Sequence, residues 1–211
     1  MKRTIYALCT ALCALFAVVS CSKSDDNNGN QGGTQNNSQN QQATRSNNFS
    51  NEVKAIASQE FIQKMRDGGA TIYGGTNPPA VEGSFTTGAL ELIHSSFGID
   101  KDPLRGRFDG FFYKFYGKNG SNIKVDYSNH SGGTYAAQGV KAAISGEGDN
   151  FTIFFVNKAG DLHAISGTFT GDAIEGFQEI DYVKIGTNTS PVGTVRVFKS
   201  KDGRAEKIQG F

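Results

Sequence analysis

The stretch RFDGFFYKFY, Arg107–Tyr116, decides the fold. Aromatic residues favour extended backbone, and side chains alternate between the two faces of a strand. Alternation puts Phe111, Tyr113 and Phe115 on one face and Phe108, Phe112 and Tyr116 on the other. A strand that is apolar on both faces does not belong to a sheet with one wet side. It needs a core on one face and a cover on the other.

The same pattern continues downstream. Ile123, Val125 and Tyr127 alternate with Asn122, Lys124 and Asp126. Thr134–Ser145 reads as a strand rich in Ala and Gly, and Phe151–Asn157, Leu162–Phe169, Ile174–Ile185 and Gly193–Lys199 follow. Glu82–Thr87 and Leu90–His94 are short strands upstream. Between them lie turn signals such as Gly117-Lys118-Asn119-Gly120, Ser131-Gly132-Gly133 and Thr170-Gly171-Asp172. Short connections favour antiparallel neighbours. Eight or nine such strands remove their exposed edges by closing on themselves. The expected fold is therefore all-β: an antiparallel up-and-down β-barrel of about eight strands over residues 49–211, with one N-terminal helix. A sandwich is the alternative.

The helix is expected over Ser50–Asp67. Val53, Ile56, Ala57, Phe61 and Met65 share a face at helical spacing, Ser50 is the N-cap and Gly68-Gly69 the stop. It is the natural cover for the outer apolar wall.

Ahead of the domain the composition changes twice. Met1-Lys2-Arg3 and the uncharged run Ile5–Val19 have the form of a signal peptide over residues 1–20. The run ends in Val18-Val19-Ser20-Cys21, which resembles the lipobox of bacterial lipoproteins. That resemblance implies cleavage before Cys21 and acylation of its thiol and amine, giving stable anchoring through more than one chain. Cys9 and Cys13 leave with the signal, so no disulfide framework remains. Ser24-Asp25-Asp26 resembles the export tag of Bacteroidota surface lipoproteins. From there to Asn48 the chain is nearly all Asn, Gln, Gly, Ser and Thr, a composition that cannot offset its own ordering entropy. Residues 21–48 are thus expected to be a lipidated, disordered tether.

The domain also resembles a family of secreted Bacteroidota lipoproteins of unassigned activity. The residues that carry the likeness are Gly75-Thr76-Asn77-Pro78-Pro79, Glu82-Gly83-Ser84-Phe85, Pro191–Phe198 and Lys201–Glu206. At the level of architecture the meander is similar to a lipocalin, or calycin, barrel. It departs from that pattern at Gly83-Ser84-Phe85, where Phe stands in place of the usual Trp, and in having its helix first. The implied location is the outer membrane, at the cell surface or otherwise on the periplasmic face.

Charge is balanced. Of 21 basic residues, Lys2 and Arg3 lie in the signal, against 20 acidic. A nucleic-acid partner is not expected without a basic patch. Chemistry-bearing patterns are sparse. His94, His130 and His163 have no metal-ligand spacing, and no nucleophile elbow or phosphate loop occurs. Asp100-Lys101-Asp102 and Asp109 have oxygen ligands that suit calcium, although loop acids of this kind are usually only solvated. Glu175, Glu179 and Asp181 fall on one face by simple alternation, where a wet barrel exterior is expected. The aromatic stock is the most suggestive feature: Phe108, Phe112, Tyr113, Phe115 and Tyr116 are candidate lining for an apolar ligand. The expected role is non-enzymatic binding of a small apolar or amphipathic molecule, with no cofactor. A structural or adhesive module with a filled core and a carboxylate-dependent glycan hydrolase are the alternatives.

Replacing Cys21 tests the anchor. Cys21→Ser is expected to abolish labelling by a fatty-acid analogue and to release the protein from the outer-membrane fraction. Retention of both label and fractionation would refute the lipobox reading.

Overall fold

The computed structural model describes residues 46–98, 107–132, 135–187 and 190–211. Cys21, Ser24-Asp25-Asp26, the signal and most of the tether lie outside these residues, as do Asp100–Asp102. The elements are α1 (Asn51–Ile56), α2 (Gln59–Asp67), β1 (Thr76–Asn77), β2 (Gly83–Thr87), β3 (Leu90–Ser95), β4 (Arg107–Phe108), β5 (Phe111–Asn119) and β6 (Asn122–Asn129). They continue with β7 (Ala136–Glu147), β8 (Asn150–Val156), β9 (Leu162–Phe169), β10 (Ala173–Tyr182), β11 (Val195–Ser200) and β12 (Arg204–Ile208).

Eight strands close an antiparallel barrel in the order β2-β5-β6-β7-β8-β9-β10-β12 and back to β2. The closing strand is β12, which pairs with β2 on one side and β10 on the other. Strand patterning stops at Lys199 and makes Asp202-Gly203 a turn only, because Arg204-Ala205-Glu206-Lys207-Ile208 is too polar to stand out. The expected long strand Arg107–Tyr116 is two strands, broken at Asp109-Gly110.

β10 has two partners along its length. Ala173–Glu175 pair with β12, whereas Gln178–Tyr182 pair with β11, which carries β3 and β4 beside it. The change falls at a β-bulge. Glu175 faces Thr168 and Gln178 faces Ser166, so Gly176 and Phe177 together stand opposite Gly167. Gly176 has φ +61°, a left-handed conformation that costs glycine nothing. Gly167 must also lack a side chain, because a Cβ there would lie 2.4 Å from Ile174 Cγ2.

Two apolar clusters follow from the strand alternation. Phe151, Ile153 and Phe155 of β8 point into the barrel with Phe115, Val125 and Ile165. On the outer face Phe154, Ala164, Ile180 and Val197 lie under Val53, Ile62 and Met65 of the helices. The apolar outer wall of β8–β11 is covered by helix, as expected, but by two short helices instead of one, and the outer face of β5 is not part of what they bury. Ser58 is the reason. Its side chain accepts the Phe61 N–H at 3.3 Å and caps a second helix, just as Ser50 caps the first through Val53 N–H. The break shifts the helical phase, so Ile62 is buried and Phe61 only half-buried, its ring 4.7 Å from that of Tyr182.

The bonded chain reaches back to Ser46. Arg66 donates to Asn47 Oδ1 at 2.7 Å, to Ser46 O at 2.8 Å and to Ile72 O at 2.9 Å, and Gly75 N–H donates to Asn48 O.

Candidate functional site

Beyond the bulge, β10 points Phe177, Glu179 and Asp181 into the barrel and Ile180 and Tyr182 outward. Asp181 is the cross-strand partner of His163 on β9, so their side chains share the inner face. From across the barrel, Tyr113 of β5 completes the group. Its hydroxyl donates to Glu179 Oε2 at 2.6 Å. His163 Nδ1 lies 2.9 Å from Asp181 Oδ1 and 3.8 Å from Glu179 Oε1. Three strands thus bring four ionisable side chains together on the wall of a mostly apolar interior.

Burial falls off toward the end of the barrel that carries the β8–β9 turn. Glu179 is 4% exposed and Tyr113 1%. The side chains of His163 and Asp181 retain 16% and 22%. The ring of Phe155 stacks on His163 at 5.4 Å and against Tyr127 at 5.6 Å. Behind the cluster Phe115 and Phe177 flank Tyr113, each with ring centroids 6.0 Å away.

The electrostatics are those of acids crowded out of water. Burial, then the neighbouring charge of Asp181, pushes Glu179 up to about 7, against the pull of His163 and the Tyr113 hydrogen bond. Burial pushes the Tyr113 phenol well above its ordinary value, and the Glu179 carboxylate adds to the effect. For His163 burial opposes the charged form, but Asp181, Glu179 and Asp161 outweigh it and raise the imidazole to about 9. Asn157 works the other way. Its Oδ1 accepts the Asp161 N–H at 2.9 Å, which turns its Nδ2 toward His163 Nε2 at 2.8 Å. A donor at Nε2 favours the neutral ring with its proton on Nδ1.

That tautomer bears on metal binding. One ligating atom each from His163, Glu179 and Asp181 lies within 4.8 Å of the others, a donor set that sequence spacing alone does not reveal. A protonated Nδ1 has no lone pair to offer. Only the two carboxylates remain as ligands while Asn157 holds its place.

The acids of β10 are therefore divided differently from the simple alternation. Glu175 lies before the bulge, on the outside, 3.5 Å from Arg204. Glu179 and Asp181 lie after it, on the inside, and not on a wet exterior. An isolated glycine within a strand pattern is the available signal for such a shift, and Gly176 supplies it.

The candidate aromatic residues also divide. Tyr113 and Phe115 are interior. Phe112 lies outside, its ring 4.3 Å from His130 and 5.4 Å from Phe211. Tyr116 donates to Asp126 Oδ1 at 3.0 Å, between Lys114 and Lys124. Phe108 belongs to β4 and packs edge-on to Phe198. His130 Nε2 lies 3.0 Å from Thr86 Oγ1.

Comparison with known proteins finds no matching family model, curated protein or solved structure.

The raised pKa of Glu179 has a consequence for stability. The folded state holds this proton up to about pH 7, whereas an ordinary glutamate loses it near 4.5. Its contribution is fully present below pH 4.5 and is lost as pH rises through 7. Urea denaturation at pH 5, 6.5 and 8 should show wild-type stability falling across this range. Glu179→Gln should flatten the fall and be the more stable protein at pH 8, by on the order of 1–3 kcal/mol. Equal slopes in the two proteins would show that Glu179 is ionised throughout.

Proposed function

We propose that this protein is a lipid-anchored outer-membrane barrel that binds a small amphipathic molecule and does not transform it. The observation that carries the reading is the Tyr113–Glu179–His163–Asp181 cluster. A few convergent polar groups with perturbed protonation, set in an apolar concave surface, are the usual chemistry of a ligand site. Burying acids costs stability even when they are paired, which favours a functional reason for them. The aromatic packing around Tyr113 and Phe177 fills the barrel behind the cluster. The ligand is therefore seated at the end bounded by His163, Asp181 and Tyr127, its polar group on the cluster and its apolar part toward Leu92, Phe111 and Ala137. The anchor rests on Cys21, and orientation toward the cell exterior on Ser24-Asp25-Asp26.

One observation favours the hydrolase reading: Glu179, protonated near neutrality beside Asp181, has the form of an acid–base pair. Against it, Glu179 is almost sealed from solvent and one oxygen is committed to Tyr113. Such a group is badly placed to protonate a glycosidic oxygen.

Native mass spectrometry of the protein purified from its own cell envelope tests the binding reading. The wild type is expected to carry a non-covalent small molecule in addition to the acyl chains, and Asp181→Asn to lose most of it. Ligand-free wild type in repeated preparations would contradict the reading. Glycan hydrolysis abolished by Glu179→Gln would replace it with the enzyme.

A further inference from the structure

The outer wall formed by β5, β6 and β7 differs from the rest of the barrel exterior. The two helices bury the outer face of β8–β11, and the outer face of β5 is not part of what they cover. Alternation with interior Tyr113, Phe115, Ile123 and Val125 turns Lys114 of β5 and Lys124 of β6 outward. Lys141 of β7 is the cross-strand partner of Lys124. Lysines from three adjacent strands thus share this wall, and all are exposed. Lys114 and Lys124 converge on the ring of Tyr116, their Nζ atoms 5.5 and 6.0 Å from its centroid.

Like charges directly opposite one another weaken a strand pair. Elsewhere the fold sets acids against its cations: Glu60 against Lys64, Glu91 against Lys199 and Glu206 against Arg204. Among the described residues no carboxylate lies within 4.0 Å of Lys114, Lys124 or Lys141. Asp126 is the register partner of Lys114, but its Oδ1 accepts the Tyr116 O–H at 3.0 Å and the Gly139 N–H at 2.6 Å. Beside the lysines the same face carries Phe112, stacked on Phe211, which is 49% exposed. Uncompensated cations beside exposed rings call for an anionic partner. Shape and chemistry limit its kind. A barrel exterior is convex and encloses no discrete ligand. Lysine is a flexible point charge, without the planar fork that selects a single carboxylate or phosphate. Both features suit an extended charged surface.

We propose that this wall lies against an anionic lipid surface, with Lys114, Lys124 and Lys141 on the headgroups and Phe112 and Phe211 in the interfacial layer. The choice of occupant rests on the membrane anchor proposed above. The described residues begin at Ser46, whose carbonyl packs against Gly74. The next residue, Gly75, accepts the Gly146 N–H at the end of β7. Lys141 stands about 17 Å along that same strand. A flexible tether over residues 21–45 reaches on the order of 25–30 Å. An anchor at Cys21 therefore leaves the wall within reach of its own membrane. Each lysine at such a surface is worth only about fivefold in partitioning. The effective concentration set by the tether makes so weak a contact sufficient.

Vesicle co-sedimentation tests the proposal. The mature chain is used at full length with Cys21→Ser, so that no acyl chain contributes. It is expected to bind phosphatidylcholine vesicles containing about 30% phosphatidylglycerol at least about tenfold better than phosphatidylcholine alone, and to lose that preference in about 0.5 M salt. Lys124→Gln should cost about fivefold, and Lys114→Gln, Lys124→Gln and Lys141→Gln together should abolish the preference. Lys→Arg at the same three positions keeps the charge and should keep the binding. Lys199→Gln removes a charge from β11 and should change nothing. Equal binding to the two vesicle types, binding to neither, or a preference that survives the triple Gln substitution overturns the proposal. Tighter binding to soluble polygalacturonate than to the anionic vesicles also overturns it and assigns the wall to an acidic glycan. None of these outcomes alters the anchor reading, which acyl labelling at Cys21 tests separately.

Discussion

In β10 two residues, Gly176 and Phe177, stand opposite the single residue Gly167. Because strand side chains alternate, one extra residue exchanges the faces of everything beyond it. Glu175 stays outside with Arg204, and Glu179 and Asp181 turn inward. The same bulge lets β10 leave β12 and take up β11. The barrel therefore closes below the bulge, while its wall is extended by β11, β3 and β4 above it. Closure, the extended wall and the inward acids share one origin. It depends on a glycine that adopts φ +61° without strain, facing another that leaves it room.

Two acids on an inner wall have to be accommodated. Transfer of an ionised carboxylate away from water is costly, and the group neutralises unless it is paired. Tyr113 donates across the barrel to Glu179, His163 lies against Asp181, and Glu179 retains its proton to about pH 7. This is partial compensation. Glu179 Oε1 lies 3.8 Å from His163 Nδ1, beyond hydrogen-bond reach. A purely structural network would be expected to close its hydrogen bonds, since a half-satisfied one is less stable than an apolar core. Ionisable groups with perturbed protonation on an otherwise apolar wall favour a ligand site over a purely architectural role.

Much of the fold was legible in the sequence because the strands are separated by glycine turns and carry clear alternation. The double-sided apolar pattern of Phe151–Val156 correctly demanded a cover on the outer wall. What escaped was set by local polar chemistry or by long-range pairing. Ser58 capping divides the helix, and β12 is recognisable only through its partners β2 and β10. The site was hidden for a related reason. His163, Glu179 and Tyr113 are far apart in sequence, and they meet only if the one-residue shift at Gly176 is allowed for. Simple alternation instead grouped Glu175 with Glu179 and Asp181 and placed all three outside. The aromatic stretch Arg107–Tyr116 identified the interior through Tyr113 and Phe115, but its opposite face packs against His130 and Phe211 or bonds to Asp126.

The central claim is that Glu179 and His163 share a water-poor interior in which the acid holds its proton and the imidazole is fixed by Asn157. NMR titration of the Glu179 side-chain carboxyl carbon, with the ring nitrogens of His163 followed in the same samples, tests it directly. Expected are a Glu179 midpoint near pH 7 and a His163 imidazole whose midpoint is raised to about 9, its Nδ1 proton held against Asp181. A Glu179 midpoint near 4.5, together with a freely titrating imidazole, would mean that the two side chains face water and that the barrel has no such site.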